Sequence, residues 1–233
     1  MLELYFFPSP NGQKALICLE ELHLPYTLTP VDLAKGEQFD AAFLKISPNN
    51  KIPALVDHDA KGGPLSLFES GAILEYLADK TGRLLPTDTR ARYRAKQWLY
   101  WQVGGFGPMA GQAHHFRAFA PEEVPYAIRR YTDEMNRLYG VLDQQLEDRD
   151  YIAGDYSITD IACWPWVVPH ERQGQSLEDF PNVKRWFERV SARPAVQRAQ
   201  EFGNERLLTP EEYTVLLNQT RDTAAAVQRD GDT

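Results

Sequence analysis

Three stretches of this 233-residue chain carry side chains able to do chemistry. The first is Ser9-Pro10-Asn11-Gly12, which follows the apolar run LELYFF and precedes a helical pattern. A serine hydroxyl and an asparagine amide can both donate to an anion. The first turn of a helix adds unpaired N–H groups and positive dipole potential. Such a corner could hold a thiolate, yet it contains no cysteine, and the same residues also suit a plain strand-to-helix turn. The second stretch is NKIPAL, residues 50–55. A trans Pro53 would only open a strand, whereas a cis Ile52–Pro53 bond would turn the Ile52 N–H and C=O outward to pair with an extended peptide. The third is FESGAI, residues 68–73, where Ser70 could simply cap a helix or could also hold a ligand carboxylate. Glu69 beside it could accept from a ligand ammonium.

Other conspicuous residues read as structure. In SITDIACWPW (157–166) Ser157 would accept from the Asp160 N–H while the Asp160 carboxylate reaches back to the Ser157 N–H, a capping box with Tyr156 as a candidate staple. Cys163 inside this stretch reads as a small buried apolar residue. His114 and His115 are adjacent, so on a helix they point about 100° apart, and no carboxylate or cysteine sits at ligand spacing. No metal site is expected. The aromatics of WLYWQ (98–102), with Trp164, Trp166 and Trp186, read as helical core, some of them available to line a cleft.

Composition bounds the rest. With 43% hydrophobic and 25% charged residues the chain is of globular type, long enough for one large domain or two small ones. The formal charge of −8 argues against broad nucleic-acid binding. No run approaches a membrane span, and MLELYFFPSP lacks the features of a secretory signal, so a cytoplasmic protein without membrane partners is expected. Cys18 and Cys163, far apart and outside any CxxC spacing, argue against a disulfide framework or a dithiol redox centre.

The elements that must position these residues follow from hydrophobic period. LELYFF is a short buried strand, and residues 13–22 carry a helical stripe of Ala15, Leu16, Leu19 and Leu22. YTLTPVDL is a strand whose Pro30 suits an edge. AAFLKI (41–46) is a short helix, and IPALVDH and PLSLF are strands joined through DAKGG. Ser70 then starts a helix that stops near Gly82. The order β-α-β-α-β-β-α describes a thioredoxin-like α/β domain over residues 1–80, since parallel strands need helical crossovers and a hairpin closes the sheet. Residues 81–89 read as a linker, 90–203 as an all-α domain, and 204–233 as a loose tail. Within the helical part, GGFGP (104–108) should bend or break a long helix. Further helices are expected over 125–146, from Ser157, and over 181–193.

The chain resembles the cytosolic glutathione transferases. NKIPALVD followed by SLFESGAILEYLA matches that family's glutathione site, SITDIACWPW its capping-box helix, and PNVKRWFERVSARPAVQRA a late helix; the resemblance spans about residues 1–203. SPNGQK, ISPNNKIPA and WQVGGFGPMAGQAHHF look like the nu-class-like bacterial branch, whose members are glutathione-dependent disulfide-bond oxidoreductases without the usual catalytic cysteine, tyrosine or serine. The branch typically carries Thr-Pro-Asn-Gly where this chain has Ser9-Pro10-Asn11-Gly12.

The resemblance implies a thioredoxin-like domain plus an all-α domain, glutathione as the redox-active co-substrate, and a homodimer. It implies Asn11 first and Ser9 second as the groups nearest the sulfur, with glutathione contacts from Gln38, Lys51, Ile52, Glu69, Ser70 and Arg130. A free thiol is only a few per cent ionised near neutral pH, and donation from such groups by about 1.4 kcal/mol would lower its pKa by about one unit. The bound thiolate would attack small or mixed disulfides. Two rival expectations stand beside this one: a conventional transferase that conjugates electrophiles with Ser9 activating the thiol, and a non-catalytic binding module on the same fold.

Overall fold

The computed structural model describes residues 1–202 together with Glu212, Val215 and Gln219. The chain begins with β1 (Leu2–Phe6), whose alternating residues Leu2, Leu4 and Phe6 are buried, and turns into α1 (Pro10–Leu22). There follow β2 (Tyr26–Pro30), a one-turn α2 (Ala41–Leu44), β3 (Ala54–Asp57), β4 (Leu65–Phe68) and α3 (Ser70–Thr81). The strands lie in the order β2-β1-β3-β4, with β1 parallel to β2 and antiparallel to β3, and β3 antiparallel to β4. This is the β-α-β-α-β-β-α order expected from the apolar periods, and Pro30 does fall on an edge strand. The helix expected over 41–46 is shorter, because the backbone tightens after Leu44 and Ser47 closes onto Phe43.

Beyond α3 the chain is helical: α4 (Thr89–Trp101), α5 (Gly107–His114), α6 (Pro125–Gln145), α7 (Ile158–Val167), α8 (Pro181–Ser191) and α9 (Pro194–Glu201). At GGFGP, expected to bend or break a long helix, the regular α-helix is interrupted without the chain leaving the helix. Gln102–Phe106 form a widened π turn that carries α4 directly into α5. The wide turn absorbs the glycines and places Pro108 at the junction where the π turn passes into α5. The helix expected over 181–193 stops at Ser191, and Pro194 starts α9 as an N-terminal proline. The loose tail expected over 204–233 lies outside the described residues, three positions excepted.

The first helix differs most from its sequence pattern. A single apolar stripe is expected, yet Ala15, Leu16, Ile17, Cys18 and Leu19 are all fully buried. The sheet covers one side of α1, and α3, α7 and α9 cover the others, so nearly its whole circumference is core. Polar clamps fix its angle: Arg193 donates to both Glu21 oxygens at 2.6 and 2.9 Å while stacking 3.6 Å over the Tyr156 ring. Arg198 donates to Glu20 at 2.6 Å. The helix that presents the Ser9–Asn11 corner is therefore held by both the sheet and the helical domain.

Candidate active site

The corner is built by a tight backbone approach. The Ser9 N–H donates to the Phe7 carbonyl at 2.7 Å, and the Ser9 hydroxyl accepts the Gly12 N–H at 3.2 Å as a helix N-cap. Pro10 fills the first helical position, where it lacks nothing a helix needs. Gly12 is required here by space: a Cβ would lie 2.1 Å from the Phe7 carbonyl oxygen. These constraints push Asn11 out over the C-terminal edge of the sheet.

Asn11 opens onto two adjoining cavities of about 670 and 290 Å3, and Lys51, Glu69 and Ser70 line both of them. The smaller is completed by the Ser47–Pro53 loop. In that loop Asn50 adopts φ 48°, which asparagine tolerates, and the Ser47 hydroxyl donates to the Lys51 carbonyl at 2.8 Å. The Ile52–Pro53 bond is cis, and both residues line this cavity. The larger is closed by the helical domain through Gln102, His115 and Trp166.

Trp166 decides what Asn11 can do. Its indole Nε1–H donates to the Asn11 Oδ1 at 2.9 Å. Indole is a donor only, so the amide oxygen must face the tryptophan and the amide NH2 becomes the end free to donate. Asn11 is thus fixed as a hydrogen-bond donor at a cavity, the polarity a thiolate or carboxylate requires. Ser9 sits differently. Its oxygen already accepts the cap bond, and it borders a separate cavity of about 320 Å3 beside Pro8 and Pro165. The two candidates read from the corner are therefore not equivalent: only Asn11 shares walls with Lys51, Glu69 and Ser70.

Glu69 and Ser70 stand at the start of α3. Glu69 has φ 70° and ψ 114°, a conformation costly for a residue with a side chain, and it is exposed to the cavity. Such strain is retained at binding sites when the surroundings over-determine it. Ser70 is buried, and its hydroxyl meets the Lys14 ammonium at 3.4 Å. Lys14 and Gln102 are site residues that sequence reasoning missed. The Lys14 Nζ lies 2.5 Å from the Gln102 Oε1, both side chains are fully buried, and both border the larger cavity. Burial pushes the Lys14 pKa down to about 7, with Cys163 and Glu69 opposing. A signal for Lys14 was present, since it lies three and four residues before the apolar Ile17 and Cys18 on one face of the helix. Nothing in the sequence links Trp166 to Asn11.

Two expected contacts lie elsewhere. Gln38 is tucked inward by the tight turn Glu37–Phe39, lies outside the lining of both cavities, and has neither amide atom hydrogen-bonded among the described residues. Arg130 stands on the exposed face of α6, 4.0 Å from Glu134 one turn on, and also lies outside both linings. The capping box forms. The Asp160 carboxylate accepts the Ser157 N–H at 3.0 Å, and the Ser157 hydroxyl accepts the neighbouring Thr159 N–H at 3.3 Å. Cys18 and Cys163 are free and fully buried, and burial raises both thiol pKa values far above the ordinary range. No group of three or more potential metal ligands occurs among the described residues.

A mixed four-stranded sheet with its ligand-sized cleft against a helical domain is a two-part α/β plus all-α architecture. Residues 8–80 match the model of the glutathione S-transferase N-terminal domain, and residues 106–194 that of its C-terminal domain. The chain belongs to the glutathione S-transferase family. It is 57% identical over 212 residues to the disulfide-bond oxidoreductase YfcG of Escherichia coli K12, covering 88% of this chain and 99% of that one. A glutathione transferase from Burkholderia graminis, solved with two glutathione molecules bound per subunit, superimposes with a TM-score of 0.83 at 47% identity, over 88% of this chain and 89% of that chain. One from Pseudomonas putida, solved with one glutathione disulfide per subunit, gives a TM-score of 0.81 at 44% identity, over 85% and 90%.

Proposed function

We propose that this protein is a glutathione-dependent disulfide-bond oxidoreductase that borrows its reactive sulfur from glutathione. The observation that carries the reading is the Asn11 amide, whose oxygen is taken by the Trp166 indole so that its NH2 is the end left to donate, at a residue that lines a cavity with Lys51, Glu69 and Ser70. The chain's own thiols are sealed in the core, which suits a site whose sulfur arrives with the substrate. YfcG, a relative of more than half identity over nearly its whole length, is a disulfide-bond oxidoreductase.

In this reading Asn11 donates to the glutathione sulfur and favours the thiolate. The Ile52 backbone pairs with the extended peptide, Glu69 accepts from its ammonium, and Ser70 with the start of α3 holds its γ-glutamyl carboxylate. Lys51 sets positive charge at the rim against the protein's acidic field. The thiolate attacks one sulfur of a small disulfide, forming a glutathione mixed disulfide and expelling the other half as a thiolate. A second glutathione thiolate attacks the glutathione sulfur of that mixed disulfide. Glutathione disulfide and the second product thiolate leave, and the two expelled thiolates take up the two protons given up by the glutathione thiols. The adjoining cavities suit two peptide-sized molecules, and the Burkholderia transferase was solved with two glutathione molecules per subunit. Gln38 and Arg130 are left outside this contact set.

The test is a cysteine-free protein, Cys18→Ala with Cys163→Ala, assayed with glutathione and hydroxyethyl disulfide. Activity close to that of the unmodified protein is expected, and its loss would overturn a borrowed sulfur. Faster turnover of a chloronitroaromatic than of the disulfide would instead favour conjugation. Glutathione binding without either activity would favour a non-catalytic module.

We further infer residues 1–80 and 90–203 as the two domains, since α3 ends at Thr81 and α4 begins at Thr89. A cytoplasmic location is inferred from two reduced, buried thiols. A homodimer is inferred from the family, with Leu65 and Phe68 on β4 and Tyr93 and Tyr100 on α4 supplying exposed apolar surface.

A further inference from the structure

The site contains one charged side chain that the reading above does not use. Lys14 is 1% exposed, and its Nζ reaches the Ser70 hydroxyl and the Gln102 amide oxygen from beneath the larger cavity. Among the described residues no carboxylate lies within ion-pair distance of it. The negative charge that reaches it comes from Glu69, exposed at the start of α3; Cys163 on α7 also faces it, with a thiol kept neutral by burial. His115, the residue after α5, lines the same cavity and is also driven toward its neutral form by burial. Gln102, its other partner, keeps its amide nitrogen buried and unpartnered. An amine in this position is half-provided for: two neutral oxygens solvate it, and no fixed anion balances it.

We propose that Lys14 is the internal counter-charge for the carboxylate held at Ser70, and that it takes up a proton from solvent as anionic glutathione enters. Before binding, dehydration disfavours the ammonium, and its pKa of about 7 leaves a large share of the molecules with a neutral amine at mildly alkaline pH. A carboxylate arriving at Ser70 supplies the missing negative charge one hydrogen bond away, and the ammonium is then favoured. The Ser70 hydroxyl, which accepts from Lys14, is left to donate its own proton to the ligand. At mildly alkaline pH the full positive charge is thus reached under the carboxylate when a ligand is there to balance it. This role rests on the glutathione reading and adds to it a proton that the thiol chemistry does not involve.

The probe is S-methylglutathione, whose sulfur has no proton to lose. Binding is measured by calorimetry at pH 7.5 in phosphate and in Tris, whose ionisation enthalpies differ, and then between pH 6 and 8.5. The unmodified protein is expected to take up a fraction of a proton per site. Its affinity should be flat below about pH 7 and fall by up to tenfold per pH unit above it. Titration of His115 would place the change below pH 6.5 instead, which separates the two groups. Lys14→Met, matched in length, is expected to bind with no proton uptake and no pH slope above 7. Binding by the unmodified protein without proton exchange, or uptake undiminished in Lys14→Met, overturns the role of Lys14 alone. If Lys14→Met fails to fold, the pH slope of the unmodified protein decides the matter. Absence of S-methylglutathione binding at every pH would instead overturn the glutathione reading, and this inference with it.

Discussion

Two helix starts in this molecule use the same cap chemistry to different ends. At α7 and at α1 a serine hydroxyl accepts a backbone N–H from the first turn, at 3.3 and 3.2 Å. At α7 the carboxylate of the capping box is closed internally. Asp160 is fully buried and accepts from the Ile152 N–H, the Ser157 N–H and hydroxyl, and the Trp186 indole. At α1 the closure stops halfway. Asn11 accepts one indole N–H from Trp166, and its donor end is left to a cavity. A completed polar network specifies the packing around it, whereas a network oriented but left open specifies a ligand. The lysine below the site follows the second pattern, solvated by two oxygens and lacking its anion. Both helix starts read as caps in the sequence, and only what lies in front of each separates structure from chemistry.

The sharpest way to break this comparison is to remove the acceptor at the closed end. Asp160→Ala strands three buried N–H donors from Ile152, Ser157 and Trp186, and should cost about 3–5 kcal/mol of stability. Urea unfolding followed by tryptophan fluorescence measures this loss, and the remaining folded protein should keep its disulfide reductase turnover. A cost below about 1 kcal/mol would mean that the α7 network is no more structural than the open one. The opposite signature is expected at α1. If Asn11 donates to the sulfur as proposed, Asn11→Ala should lower glutathione-dependent disulfide reduction about tenfold, the equivalent of about 1.4 kcal/mol, while stability falls by only about 1 kcal/mol through the released Trp166 N–H. Trp166→Phe keeps the amide and frees its orientation, so its loss of activity should be smaller. The double variant should be no worse than Asn11→Ala alone, because the tryptophan acts only through the asparagine.

Much of the frame was legible because local rules determine it. LELYF alternates toward one buried face, Pro30 marks an edge strand, and Ser157 with Asp160 announces the start of α7. The continuity of α4 into α5 was not legible, because a π turn can spend an extra residue where glycines and a proline otherwise suggest a break. The burial of α1 was understated because a stripe of apolar residues records one neighbour, and this helix has neighbours on every side. The walls of the two cavities were legible where their residues are close in the chain, as in Asn11, Lys51-Ile52 and Glu69-Ser70. They were not legible where a wall depends on a pairing across the fold. Trp166 meets Asn11 from 155 residues away, and Lys14 meets Gln102 from 88. Neither partner type advertises the other, so the orientation of the amide and the buried charge emerge only from the packing.

The smallest expected effect belongs to Ser9, and it tests whether the two residues of the corner divide the work. The serine hydroxyl accepts the Gly12 N–H and borders a cavity apart from the one that Asn11 opens onto. If its role is the cap, Ser9→Ala should lower stability by about 1 kcal/mol, the usual cost of deleting an N-cap oxygen, and change disulfide reductase turnover by less than about threefold. The rate change should also show no dependence on which disulfide is supplied, since a slightly frayed first turn disturbs Asn11 equally for all of them. Ser9→Thr restores an oxygen at the same position and should recover most of the stability. A tenfold loss of turnover in Ser9→Ala at unchanged stability would reverse the assignment. It would place the hydroxyl rather than the amide at the sulfur, and would make the α1 corner a serine site that happens to be capped by an asparagine's neighbour.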